Sequence, residues 1–256
     1  MEILKVRELS KIYTEKVLYE ALSNIDLTIY KGEFVGIMGP SGSGKTTLLN
    51  IISTVDSPTL GEVFINGENP HHLSGNSLAL FRRRELGCIY QSFNLLSTLT
   101  VKENIALPLT LDGTNLEEMN KRVKIISEKL DIKHILNKRI YEISGEQAQR
   151  TAIARALIHQ PKLLLVDEPT GNLDSKAASD IMGLLKKLNR EEQATIMLVT
   201  HDPVVASYCD RVVFIKDGTF FKEIYRKDNV STFLWEILNV TFLLGGNDNE
   251  FSSICF

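Results

Sequence analysis

Gly39-Pro40-Ser41-Gly42-Ser43-Gly44-Lys45-Thr46 gathers glycines, one lysine and hydroxyl side chains in a single short run, with Thr47 directly behind it. Residues of these types at this spacing suit the handling of a polyphosphate. Glycines let the backbone wrap a phosphate closely, because no Cβ stands in the way. Successive N–H groups then point inward, and the start of a following helix adds the positive end of its dipole. Lys45 would neutralise the terminal phosphates, and the Thr46 hydroxyl would ligate Mg2+. The flanking residues provide the context this chemistry needs. Phe34-Val35-Gly36-Ile37-Met38 suits a buried strand, and Lys45 to Ser53 reads as a helix with Leu48, Leu49 and Ile52 inward. Strand, glycine-rich loop and helix together make the pattern of a P-loop.

A second run supplies the complementary chemistry. Leu163-Leu164-Leu165-Val166 predicts a buried strand whose end presents two adjacent carboxylates, Asp167 and Glu168. Adjacent residues at a strand end can do different jobs. Asp167 can hold Mg2+ through water, and Glu168 can polarise the water that attacks a γ-phosphate.

The elements that must position these groups alternate β-like runs with helical patterns, which predicts an α/β fold. Ile3 to Tyr13 and Val17 to Tyr30 read as antiparallel strands at one edge. Glu62 to Ile65 reads as a further strand, turned by Asn66-Gly67. Met119, Val123, Ile126 and Leu130 recur at helical spacing, and Ser144 opens another helix running to His159. The sheet resumes at Thr195 to Val199 and ends in a hairpin around Asp217-Gly218. The predicted organisation is a nucleotide-binding core over residues 1–94 and 161–226, an inserted helical subdomain over 95–160, and a C-terminal extension over 227–256. That extension holds a short helix ending at Gly245-Gly246 and a polar tail.

Composition excludes several classes. The chain has 256 residues, 43% hydrophobic and 24% charged, as expected for a globular fold. Lysine and arginine total 29 against 32 acidic residues, a net charge of -3, so no strong pull toward nucleic acid is expected. Cys88, Cys209 and Cys255 are too scattered for a disulfide framework or a zinc site. The first residues carry no signal-peptide pattern. Phe233 to Leu244 falls short of the ~20 apolar residues of a membrane span and is expected to dock on its own domain. His71-His72 is expected in a solvent-exposed loop, and Arg82-Arg83-Arg84 on a solvated face.

Further along, the chain resembles the ATPase subunit of ATP-binding cassette (ABC) transporters over nearly its full length. Tyr13 stands where the family stacks an aromatic residue on adenine. Gln91 matches the Q-loop glutamine that contacts Mg2+ and water. Ile143-Ser144-Gly145-Glu146-Gln147 stands at the family's Leu-Ser-Gly-Gly-Gln signature, Gly171-Asn172-Leu173-Asp174 resembles the D-loop, and His201 the switch histidine. Gln91 to Leu96 and Leu99 to Asn104 resemble the subgroup serving MacB- and lipoprotein-release-type permeases. Thr200 to Cys209 and Phe214 to Gly218 are similar to the bacitracin- and lantibiotic-resistance branch.

The resemblance implies a mostly parallel core sheet with an antiparallel β edge and an inserted helical subdomain. It implies an ATPase that uses ATP and Mg2+, with Thr46, Gln91 and Asp167 around the metal and Glu168, His201 and Gln91 around the chemistry. Two subunits would sandwich two ATP molecules. Each site would pair one P-loop (Gly39 to Thr47) with the other subunit's signature (Ser144, Gly145, Glu146, Gln147), and Asp174 would couple the two sites. A permease, docked beside Phe93-Asn94-Leu95, would hold the subunit at the cytoplasmic face of the membrane, in some systems alongside a sensor histidine kinase.

The sequence departs from the family at Glu146, where a second glycine is normal. Two like charges ~4 Å apart repel by about 4 kcal/mol at an effective dielectric of about 20, as an upper bound. A Glu146 facing phosphate would therefore slow closure or hydrolysis, whereas one pointing away would still suit a helix start, which favours acids. Two other functions compete with transport. One is a low-turnover, nucleotide-gated signalling module. The other is a soluble ABC ATPase of translation or repair, although those usually carry fused cassettes or long coiled coils.

Overall fold

The computed structural model describes residues 1–14, 18–227 and 229–245; Val17, Gly246 and Cys255 lie outside the described residues. Strands β1 (Glu2–Tyr13) and β2 (Tyr19–Tyr30) run antiparallel. Strand β3 (Phe34–Met38) leads through the glycine-rich loop into helix α1 (Lys45–Ile52), and β4 (Leu60–Ile65) returns to pair with β1. The antiparallel edge is thus a sheet of its own, ordered β2-β1-β4. The Asn66-Gly67 turn after β4 has both residues at positive φ, 51° and 85°.

Helix α2 (Gly75–Glu85) precedes β5 (Leu86–Ile89). Three helices follow: α3 (Val101–Leu111), α4 (Leu116–Lys129) and α5 (Gly145–Leu157). The chain then alternates β6 (Leu163–Asp167), α6 (Ser175–Glu192), β7 (Ile196–Val199) and the short α7 (Pro203–Ala206). It closes with β8 (Arg211–Lys216), β9 (Thr219–Tyr225) and α8 (Val230–Leu244).

The main sheet is ordered β5-β6-β7-β3-β8-β9, with every pairing parallel except β8 with β9. Its central strands are buried on both faces, which is why β3 and β7 read as continuous apolar runs. Alternate residues feed different cores. Phe34, Val166 and Leu198 join α3 to α6 and α8, while Val35, Leu165 and Met197 join α1 and the small sheet. The carboxyl ends of β3, β6 and β7 therefore open at one edge of a doubly covered sheet, the usual place for a ligand in open α/β folds.

Of the two surface expectations, the arginines of α2 hold to theirs and His71 departs from its own. Arg82 and Arg84 are exposed and Arg83 partly so, yet all three are tethers. Arg82 donates to the Thr54 side chain and carbonyl, Arg83 to the Leu111 carbonyl, and Arg84 pairs with Asp112 at 3.1 Å. Helix α2 buries only Phe81, so these tethers replace a packed face. His71 is half-buried, with Nε2 3.1 Å from the Ile51 carbonyl oxygen. Helix α8 docks as expected, burying Phe233, Ile237, Val240 and Leu244 along one face. Among the described residues, no helix is long and apolar enough to cross a membrane.

Candidate functional site

The phosphate loop is shaped by close contacts to neighbouring strands. A Cβ at Gly39 would lie 2.1 Å from the Ile215 carbonyl oxygen, so no other residue fits there without moving β8. Gly44 caps α1 in a left-handed conformation (φ 99°), and α1 has no acid in its first turn. The exposed helix start therefore keeps its favourable field for an anion. Lys45 is 9% exposed and donates to the Gly39 and Pro40 carbonyls at 2.9 and 2.8 Å. Burial pushes its pKa down, while the charges of Glu168 and Asp167 push it back up.

Those carboxylates stand at the end of β6, beside the end of β7. Burial raises the Asp167 pKa, the Glu168 charge raises it further, and Lys45 acts against both. An acid disfavoured as an anion by burial and by a neighbouring carboxylate gains from a divalent cation, so the donor set fits Mg2+. When bound, Mg2+ supplies charge neutralisation at the phosphate oxygens.

Glu168 is held on several sides. Its Oε1 accepts from the His201 backbone N–H at 3.0 Å and lies 2.6 Å from His201 Nδ1, while Oε2 accepts from the Thr200 hydroxyl at 3.0 Å. His201 itself remains 74% exposed, open to a ligand approaching from outside.

Gln91, the head of α5 and residues 171–174 gather into a second cluster within the same chain. Gln91 packs so tightly on Gly171 that a Cβ there would meet its amide nitrogen at 2.5 Å, and Asn172 donates to the Gln91 carbonyl at 2.9 Å. Gly145, at the head of α5, faces Leu173 and Phe93. Asp174 caps α6, accepting from the Lys176 and Ala177 N–H groups at 3.0 and 2.9 Å. Ser144 caps α5 in a reciprocal box with Gln147, at 3.2 and 3.1 Å. Among the described residues, no hydrogen bond or ion pair joins Ser144, Gly145, Glu146 or Gln147 to residues 39–47 of the same chain. Tyr13, at the end of β1, lies beside α1, and Tyr19 adds a hydroxyl 3.3 Å from the Gly42 carbonyl.

Glu146 turns back along its own helix. Its Oε1 accepts from Arg150 Nε at 2.8 Å, and Arg150 also donates to the Leu130 carbonyl at 3.2 Å. The acid thus has an i,i+4 cation and a favourable helix start within its own chain, an arrangement that turns it away from the helix start's anion-facing end. Glu146→Gly is expected to change the steady-state ATPase rate by less than about 3-fold, in keeping with the small energies of such pairs. A rise above tenfold in the purified protein would restore the low-turnover idea.

Three supporting residues carried little sequence signal. Arg155 donates to the Asn94 and Phe93 carbonyls at 2.7 and 3.0 Å, holding two consecutive residues at positive φ. Gln149, fully buried, donates to the Pro169 carbonyl at 2.9 Å, and Thr200 fixes Glu168. Arg155 was the most legible, since a lone arginine among Ala152, Ile153, Ala154 and Ala156 cannot sit idle in an apolar helix face.

Comparison with known proteins places this geometry. A profile of the ABC transporter family matches residues 22–171. The ABC transporter ATP-binding protein YxdL of Bacillus subtilis (strain 168) is 56% identical over 252 residues, 98% of this chain and 98% of its own length. The bacitracin export ATP-binding protein BceA of Halalkalibacterium halodurans is 47% identical over 252 residues, 98% of this chain and 100% of its own. A solved dimeric structure of the ATP-binding cassette MJ0796, from Methanocaldococcus jannaschii, holds ADP and Pi in a post-hydrolysis state. It superposes with a TM-score of 0.80 at 41% identity, over 89% of this chain and 100% of that one. On the family profile, these relatives and the solved cassette, the chain belongs to the ABC transporter family as one of its ATP-binding, ATP-hydrolysing subunits.

Proposed function

We propose that this ATPase works as a homodimer at the cytoplasmic face of a membrane and energises a permease that handles antimicrobial peptides. The observation that carries the peptide reading is the 47% identity to the bacitracin export subunit BceA across 98% of this chain. The dimer reading rests on the solved dimeric cassette and on the separation, within one chain, of the signature from the phosphate loop. In the closed pair, Gly39 to Thr47 of one copy would hold the triphosphate and Ser144 to Gln147 of the other would complete it. A helix start capped by Ser144, with the Glu146 charge matched by Arg150, suits that task. Thr46, Gln91 and Asp167 are assigned to Mg2+, Glu168 and His201 to hydrolysis, and Asp174 to coupling of the two sites. A sensor histidine kinase reached through the permease is a further proposed partner.

The test is to capture the tagged chain from membranes, identify the co-purifying protein, and measure bacitracin tolerance. The permease contact is assigned to Phe93, Asn94 and Leu95. Phe93 and Asn94 sit at φ 62° and 48°, a backbone pinned by Arg155, so the loop presents a fixed shape. Phe93→Asp is expected to abolish capture of the permease and peptide tolerance while keeping nucleotide affinity within about 3-fold, since Asp tolerates the left-handed conformation. Loss of ATP binding in that variant would remove the assignment.

A further inference from the structure

Tyr13 does not stand free at the end of β1. Its hydroxyl donates to Asp56 Oδ2 at 2.7 Å. Asp56 Oδ1 accepts from Lys11 Nζ at 2.6 Å and from the Ser57 N–H at 2.7 Å. Lys11 Nζ also donates to the Ser57 carbonyl at 2.7 Å and lies 4.8 Å from the centre of the Tyr13 ring. The Thr47 side chain stands near enough to the same phenol to oppose the rise in its pKa. Asp56 belongs to the loop that follows α1, and Thr47 belongs to α1 itself. The aromatic ring is thereby fastened to the loop that follows the helix assigned to the phosphates.

We propose that Lys11 and Asp56 are positioning residues for the nucleotide base, fixing Tyr13 so that one ring face is covered by a cation and the other is presented to a purine. This rests on Tyr13 being the base platform. The chemistry runs as follows. An ammonium over an aromatic face is held by the ring quadrupole and takes that face from any other partner. Stacking is then left to the opposite face, at the distance from the phosphates set by β1 and α1. Holding the ring in advance removes the cost of ordering it when nucleotide arrives, an effect of roughly 3- to 10-fold in affinity. Asp56 serves as the hinge of the arrangement because it receives both the phenol and the ammonium. Burial opposes its ionisation, but the hydrogen bonds from Lys11, Tyr13 and Ser57 outweigh burial and hold the carboxyl below its ordinary range. Burial and Asp56 raise the Tyr13 pKa, so the phenol remains a donor.

The test uses the purified full chain and two probes, ATP and inorganic tripolyphosphate, which carries the phosphates without a base. Asp56→Ala is expected to weaken ATP binding by about 3- to 10-fold, to raise KM rather than lower kcat, and to leave tripolyphosphate binding unchanged. Asp56→Asn, which keeps an acceptor for the phenol, should recover part of the loss, and Lys11→Met should shift ATP in the same direction. In a Tyr13→Ala background, Asp56→Ala should add nothing further, because coupled residues are non-additive. Equal weakening of both probes would make Asp56 a general support for α1 and overturn the proposal, as would no change for ATP. Unchanged ATP affinity in Tyr13→Ala alone would instead show that Tyr13 is not the base platform.

Discussion

Replacing Glu168 with glutamine is expected to lower the steady-state ATPase rate by about 10²- to 10⁴-fold, the usual range for losing a positioned general base. ATP should still bind, because the phosphate loop, Lys45 and Asp167 are untouched. The fold should also survive. The amide keeps one acceptor for the His201 or Thr200 donors that hold Glu168 at 2.6 to 3.0 Å, and the Thr200 hydroxyl can rotate to accept from the new N–H group. What would disappear is the negative charge proposed to draw a proton from the attacking water. If the chain acts as proposed, ATP should then hold two copies together for far longer than in the wild type. Phosphate release and size-exclusion chromatography with ATP read the two effects separately. A residual rate within tenfold of wild type would take Glu168 out of water activation.

The second large effect is expected at Lys45. Lys45→Ala should weaken ATP binding by about 10- to 100-fold, the scale of a lost hydrogen bond to a charged group. The structure adds a reason for the upper end. Lys45 is the cation whose charge acts on both Asp167 and Glu168, so its removal leaves two acids facing an incoming polyanion. The Gly39 and Pro40 carbonyls also lose the ammonium that now bridges them. Ligand binding raises melting temperature by mass action, so the ATP-induced rise expected for the wild type should be clearly smaller in the variant at the same ATP concentration. A shift in affinity below 3-fold, measured by calorimetry, would sink the assignment.

Much of this site was legible along the chain because its groups are local. A glycine-rich loop between an apolar strand and a helix carries its own geometry. The reason lies in short-range sterics: Gly39 must be bare because Ile215 approaches, and Gly44 must be left-handed to start α1. The two acids at the end of β6 were visible for a similar reason, since four apolar residues and then charge mark where a buried strand meets solvent. Other elements were hidden. Helix α3 carries Pro108 in its interior, a residue that usually stops a helix, and α2 buries too little to show a periodic face. The three arginines of α2 read as a surface group and remain one, but their role as tethers was hidden because their acceptors lie at Thr54, Leu111 and Asp112, on elements distant in sequence.

The amino-acid sequence by itself determined the strand-loop-helix cradle, the carboxylate pair and the order of landmarks, because each depends on neighbours a few residues away. Only the tertiary structure decided where Glu146 points, what fastens Tyr13, and how Arg155 and Gln149 tie the signature helix to the loops beside it. Those choices depend on hydrogen-bond partners that folding brings together. The direction of a charged side chain is set by whichever cation or carbonyl arrives within about 3 Å of it, and linear spacing carries no record of that arrival.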